Sequence, residues 1–156
     1  MDISVRKFRK KDVFKVCNLI KRAQRITLRK YYPKKLIEAF CRVNRPKSFL
    51  ERLKKRAYFV AEEKNTKKIL GIAGLEKNEV KTFYVDPRFQ KKGVGRLLYE
   101  MLRKEALRKG CKKIFTRSSL YAADFYRKIG FRRKGRKYRT IEGVRFYDIM
   151  MEARLK

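Results

Sequence analysis

The segment from Val80 to Leu102 constrains this fold more than any other. Val80-Lys81-Thr82-Phe83-Tyr84-Val85 is β-branched and aromatic, and it reads as a buried strand. Farther on, Val94, Leu97, Leu98, Met101 and Leu102 recur at helical spacing, so a helix starts near Gly93. Between them lies Gln90-Lys91-Lys92-Gly93-Val94-Gly95. A strand that feeds a glycine turn and then a helix presents free backbone N–H groups to an anion. Glycine lets the backbone approach closely, and the helix N-terminus supplies partial positive charge. Lys91, Lys92 and Arg96 add full charges around the same turn. The local physics is that of a pyrophosphate-binding turn.

Two familiar phosphate loops do not fit it. No G-x-x-x-x-G-K-[ST] string occurs in the chain, and the dinucleotide fingerprint would need glycine where Leu98 stands. What remains is Q-x-x-G-x-G, short enough that a connection with two incidental glycines is the competing reading.

The rest of the chain reads as one α/β domain over residues 1–156, without repeat, linker or low-complexity tract. Ile3 to Phe8 is the first expected strand. Asp12 is the expected N-cap of a helix with Val13, Val16, Cys17 and Ile20 on its apolar face. Pro33 suits the first turn of a second helix, with Leu36, Ile37 and Phe40 inward. A short helix follows Pro46, carrying Phe49, Leu50 and Leu53. Strands are expected at Ala57–Glu62 and Ile69–Leu75, joined by the polar turn Lys64-Asn65-Thr66-Lys67. After the Val80–Val85 strand come a helix over Gly93–Lys109 with Gly110 as its C′ residue, then a strand over Lys112–Thr116. A short helix near Ala122–Ile129 and strands near Lys134–Thr140 and Val144–Ala153 complete the pattern.

Taken with its surroundings, the turn resembles the acetyl-CoA-binding motif of the GNAT (GCN5-related) N-acetyltransferase family. Tyr84-Val85-Asp86-Pro87 is similar to the strand end and V-x-P that precede the turn in that family. Ala122-Ala123-Asp124-Phe125-Tyr126-Arg127-Lys128-Ile129-Gly130-Phe131 resembles its closing A-x-x-F-Y-x-x-x-G-F. The stretch from Gly143 to Met151 is similar to its final strand. The resemblance spans nearly the whole chain and is strongest from Val80 to Phe131. It implies the GNAT fold, a single mixed, centrally splayed β-sheet flanked by helices, and acetyl transfer from acetyl-CoA to an amine.

Residue by residue, the resemblance implies that Phe83, Tyr84 and Val85 pair with the pantetheine arm as an added strand would. It assigns the pyrophosphate to Lys91, Lys92, Gly93, Val94, Gly95 and Arg96, with Gln90 opening the motif. Tyr126 stands where many members place a general acid beside the thioester sulfur; its competing role is packing with Phe125 and Ile129. Glu79 falls where histone-acetylating members carry a glutamate base, with Glu76 as the weaker candidate and ordered water as the alternative. Substrate choice falls to the segment Lys21–Arg56 and the C-terminal hairpin, where Tyr31 and Tyr32 either line an acceptor pocket or pack in the core. A non-catalytic module that binds CoA or nucleic acid on the same fold is the other function class.

Composition bounds the remainder. The formal charge is +32, from 47 Lys and Arg against 15 Asp and Glu. Such a field attracts polyanions and disfavours free polyamines as acceptors. Association with nucleic acid or a ribosome competes with a thermophile's charged surface and with screening by high salt. The absence of histidine excludes histidine ligands and histidine acid–base chemistry, and Cys17, Cys41 and Cys111 make no metal spacing, so no metal is expected. Cys17 is expected in the core. No apolar run is long enough for a membrane span. Met1-Asp2-Ile3-Ser4-Val5-Arg6 enters a strand pattern directly, which predicts a cytoplasmic protein. The amine acceptor is open among a protein N-terminus, a lysine and a small amine, and assembly is open between monomer and homodimer.

Overall fold

A computed structural model describes residues Met1 to Lys156. Seven strands form one mixed sheet in the order β1-β2-β3-β4-β5-β7-β6. They are β1 (Ile3–Lys7), β2 (Ala57–Glu63), β3 (Ile69–Glu76), β4 (Glu79–Val85), β5 (Lys113–Ser118), β6 (Arg132–Ile141) and β7 (Val144–Arg154). The helices are α1 (Val13–Thr27), α2 (Lys34–Arg42), α3 (Pro46–Arg52), α4 (Val94–Arg108) and α5 (Ala123–Lys128).

Side-chain alternation along β2 shows how the layers form. Phe59 and Ala61 join the core under α4 and α5, whereas Tyr58 and Val60 join the core under α1 and α3. Successive residues of a strand point to opposite faces, so helices cover both sides of the sheet. A third cluster packs Leu36, Ile37 and Cys41 of α2 against Tyr32 and Phe146. Cys17 lies in the core, as its place on the apolar face of α1 requires.

Every neighbouring pair is antiparallel except β4 and β5, which are parallel and joined through α4. This pair touches only at Glu79↔Phe115 and Val80↔Thr116. Beyond that point β4 stays on β3 through Val85, while β5 stays on β7 through Ser118. A bulge contributes to the separation. Pairing steps from Leu75↔Val80 to Gly74↔Thr82, leaving Lys81 without a partner residue on β3. A bulge bends its strand and increases local twist, which helps carry the end of β4 away from β5. The sheet is therefore splayed at its centre.

Helix ends follow local chemistry, with two corrections. Asp12 does not cap α1 with its side chain; the carboxylate accepts from the Arg9 N–H at 2.8 Å and from Arg6 at 2.9 and 3.0 Å. A 3-10 turn over Lys10–Asp12 places Asp12 already in helical conformation, so its oxygens face backward to that turn. Pro33 sits one position before α2, extended at φ −66° and ψ 151°, because the chain reverses there before the helix begins. Gly110 behaves as expected: at φ +81° it lets the Cys111 N–H reach Ala106 O at 3.0 Å and its own N–H reach Leu107 O at 2.9 Å. That paired arrangement satisfies the last carbonyls of α4.

Helix α4 presents Leu98 and Leu102 to the sheet with no exposure, whereas its neighbour Leu97 is exposed. Leu98→Ala should therefore cost about 3 kcal/mol in chemical denaturation. Leu97→Ala should stay within about 1 kcal/mol.

Candidate active site

The splay opens a cleft of about 450 Å³ between the ends of β4 and β5, floored by Phe83, Tyr84 and Val85. Helix α1 contributes Ala23 and Thr27 on one side, and α5 contributes Phe125 and Tyr126 on the other. Gln90, Lys91, Gly93, Gly95 and Arg96 line the mouth. Predicted residues from three separate segments thus meet at one cleft. Lys92 is exposed outside it, and Val94 is buried beneath it as a core residue of α4.

The turn carries the backbone geometry that an anion site needs. Lys91 at φ +60° and Gly93 at φ +86° both lie in the left-handed region, and Gly93 is the residue at the helix cap. No side chain caps α4, and its opening backbone bond runs from Leu97 N–H to Gly93 O at 3.1 Å. The N–H groups of Val94, Gly95 and Arg96 precede that bond and point out of the helix end. Gly95 has a different task from Gly93. A Cβ there would lie 2.9 Å from the Phe125 ring, so glycine lets α5 close onto the start of α4. The Lys91 and Arg96 side chains have no carboxylate partner, while Lys128 is paired with Asp124 at 3.1 Å.

Gln90 ties the mouth together. Its Nε2 donates to Val85 O at 3.5 Å, and its Oε1 accepts from the Tyr121 hydroxyl at 2.7 Å. Tyr121 in turn meets Tyr31 edge-on, with ring centroids 6.1 Å apart. The β5–α5 loop, the glycine turn and the α1–α2 loop are linked in this way. Tyr121 has no sequence signal: it sits in a loop, where periodicity carries no information.

Asp86 is the second residue that sequence reasoning passed over. It is fully buried and accepts from Arg22 at 2.6 Å and from the Arg88 side chain at 2.9 and 3.2 Å. It also accepts from the Arg88 backbone N–H at 3.0 Å. Burial alone would raise its pKa, but the Arg88 side chain and amide, with Arg22, overcome that and hold it at about 2. The carboxylate thus fastens α1 to the chain just ahead of the glycine turn.

Tyr126 is buried among Phe83, Phe125 and Phe131, with ring centroids at 5.9, 5.5 and 5.1 Å, yet it also lines the cleft. Burial raises its phenol well above the ordinary value near 10, with the neighbouring Thr116 hydroxyl working in the other direction. Burial also raises the Tyr84 phenol, whose oxygen accepts from Gln24 Nε2 at 3.1 Å. Glu79 stands apart from the cleft lining. It lies at the closed end of the splay, half-buried, 3.5 Å from Lys81 Nζ and 3.7 Å from Arg117 Nε. Glu76 pairs with Arg56 at 3.0 Å.

Tyr32 is a structural residue: its hydroxyl accepts from the Leu120 N–H at 2.9 Å, and its ring packs on Phe40 and Phe146. Tyr31 is exposed. Both border a second depression of about 370 Å³ between α2 and the β6–β7 hairpin, lined mostly by apolar and aromatic groups.

A profile of the acetyltransferase (GNAT) domain matches residues 27–153. Three solved structures are similar in fold. A GCN5-related N-acetyltransferase from Rhodopseudomonas palustris gives a TM-score of 0.91 at 22% identity, covering 99% of this chain and 97% of that one. The PaiA N-acetyltransferase of Thermoplasma acidophilum, in complex with coenzyme A, gives 0.82 at 21%, covering 99% of each. The ribosomal-protein-S18-alanine N-acetyltransferase of Escherichia coli gives 0.70 at 21%, covering 99% of this chain and 94% of that one. No curated protein matches this sequence. No helix is long and apolar enough to cross a membrane.

The Asp86 lock has a pH signature. Its carboxylate is favoured in the folded state, so its contribution is full above the unfolded value near 3.9 and is lost as pH falls through about 2. Denaturant titrations should show this loss, worth about 2 kcal/mol. Asp86→Asn should remove the pH-dependent step and lower stability at neutral pH by a similar amount.

Proposed function

The chain belongs to the GNAT acetyltransferase family, and from that membership we propose that it is an acetyl-CoA-dependent N-acetyltransferase acting on a primary amine by direct attack in a ternary complex. The observation that carries this reading is one cleft bringing together three things: an unpaired strand edge, an uncapped helix N-terminus and a buried phenol.

Each part has a matching task. The N–H groups of Val94, Gly95 and Arg96 suit the cosubstrate's pyrophosphate, with Lys91 and Arg96 supplying charge and Gly93 the left-handed entry. The edge of β4 from Lys81 to Val85, left by β5, offers backbone donors and acceptors to an extended amide-bearing arm. Acetyl-CoA supplies the activated acyl group. The protein holds it, admits the amine from the side of α1 and α2, and assists the departing sulfur.

Tyr126 is the residue proposed for that assistance. Its raised phenol stays protonated throughout the neutral range, so it is always a donor. An ordinary thiol, near 8.5, is the stronger acid, which makes complete transfer from Tyr126 unfavourable. Tyr126 therefore acts by donating a hydrogen bond as negative charge develops on sulfur. Two acceptors are available for the amine proton, Glu79 and water. The Glu79 carboxylate is engaged by Lys81 and Arg117, and an incoming ammonium would have to displace them. The acceptor-side depression has no carboxylate in its lining, which disfavours polycationic amines and leaves a protein N-terminus, a lysine or a small amine.

Tyr126→Phe should lower kcat by roughly 10- to 100-fold in a thiol-release assay. Stabilisation by acetyl-CoA in thermal melts should persist, by mass action on an intact donor site. Unchanged turnover would overturn the assignment, and absence of any acetyl-CoA stabilisation in the wild type would overturn the enzyme reading. Glu79→Gln separates the two proton acceptors: loss of the acidic limb of the kcat/KM pH profile identifies Glu79, and an unaltered profile identifies water.

A further inference from the structure

The glycine turn accounts for only a few of the excess cations. The β6–β7 hairpin holds a denser group. In residues 132–145 lie Arg132, Arg133, Lys134, Arg136, Lys137, Arg139 and Arg145, against the single acid Glu142. β6 is the outer strand of the sheet and is exposed over nearly its whole length. Lys134 pairs with Glu152 and Arg139 with Asp148, but Arg132, Arg133, Arg136, Lys137 and Arg145 have no carboxylate partner.

Aromatic rings are interleaved with these charges. Tyr138 and Tyr147 are cross-strand partners with ring centroids 5.4 Å apart. The Arg136 guanidinium lies 4.5 Å over Tyr147, and that of Arg145 lies 4.3 Å over Tyr138. The result is a ladder in the order Arg136, Tyr147, Tyr138, Arg145 on one face of an open ribbon. The turn at its tip is tight: Glu142 and Gly143 both have positive φ, at 50° and 76°, between the paired residues Ile141 and Val144. The ladder is therefore carried on a fixed frame rather than a loose loop.

We infer that this ribbon face is a binding surface for single-stranded nucleic acid. Same-face residues on a strand recur about every 6.6 Å, a spacing comparable to that of phosphates along an extended single strand. Guanidinium planes and tyrosine rings offer stacking surfaces to unpaired bases, and the unpaired cations take the phosphates. An acidic protein would use the charge but has no use for the planar groups interleaved with it. A duplex hides its base faces and would leave the tyrosines idle. The hairpin borders the acceptor-side depression through Tyr138 and Arg145. A strand bound there would bring its attached or associated amines beside the cleft, a consequence that rests on the acetyltransferase reading.

The test uses the full chain and fluorescently labelled 20-nucleotide single strands of RNA and of DNA, followed by anisotropy over a salt series. Arg136→Ala/Arg145→Ala should weaken binding at least 10-fold and reduce the salt slope by about 1.4, since about 0.7 counterions are released per phosphate on single strands. Tyr138→Ala should weaken binding at least five-fold with the salt slope unchanged. Lys10→Ala/Lys11→Ala removes equal charge near the opposite edge of the sheet and should change affinity less than two-fold. The RNA and DNA arms identify which sugar is preferred, and tight binding of either supports the surface. Equal losses in the ribbon and control variants would overturn it by revealing diffuse attraction. Equal or tighter binding of a duplex, or of a polyglutamate peptide of matched charge, would overturn the single-strand assignment. Acetyl-CoA thermal shifts on the same variants should be unchanged, so failure of the nucleic-acid surface and failure of the acetyltransferase reading remain distinguishable.

Discussion

The parting of β4 from β5 after two residue pairs is the constraint on which the rest of the site depends. A parallel pair continued to Val85 would satisfy the backbone of both strands and close the sheet. The bulge at Lys81 and the full pairing of β5 with β7 pull the two strands in different directions. The backbone edge left behind would be a liability in most proteins. Here it faces a cleft walled by α1 and α5, where an extended ligand can complete the pairing. The stability lost at the seam is offset on either side, because β3 is buried along its length and α4 packs Leu98 and Leu102 across it.

A splayed sheet needs its two halves held at a fixed separation, and polar contacts do this at the open end. Asp86 binds α1 through Arg22 and the following turn through Arg88. Gln90 and Tyr121 join that turn to the loop after β5, and Tyr32 fixes Leu120 from the α1–α2 loop. Apart from the local Asp86–Arg88 pair, these contacts cross between segments far apart in sequence, so each fixes a spacing that no single element determines. Asp86 is a positioning residue: it touches the chain ahead of the glycine turn rather than the cleft itself.

Periodicity made the elements legible because strands and helices bury different faces. The strand over Val80–Val85 and the spacing of Val94, Leu98 and Leu102 recovered the central βαβ unit, and Gly110 marked its helix end through a backbone angle that only glycine adopts readily. The glycine turn was legible for a similar reason, since Gly93 needs φ +86°. Asp12 misled because its short side chain can serve either of two adjacent turns, and the 3-10 turn took it. Tyr121 and the Asp86–Arg22 pair were opaque because the partners are distant in sequence; only the Asp86 cap on the Arg88 N–H, ahead of Pro87, is a local signal. The Glu79 position was legible only by counting along the motif; its pairs with Lys81 and Arg117 depend on a bulge and a parallel neighbour.

The distribution of the scarce acids sharpens the meaning of the charge. Apart from Asp2, Glu51 and Glu63, every carboxylate is ion-paired. The most buried ones, Asp12, Glu62, Asp86 and Asp148, each hold an arginine at a structural position. The acids are thus committed inward or to local pairs, and the remaining lysines and arginines face solvent with little to neutralise them. A uniform excess would give only diffuse attraction to polyanions. The excess here is uneven, because the β6–β7 ribbon combines unpaired arginines with aromatic rings in register. A thermophile's surface would enrich acids along with bases, and high salt would only screen the excess. Neither requires guanidinium groups to sit over tyrosines across the outer β6–β7 hairpin, and that placement turns a bulk property into a local one.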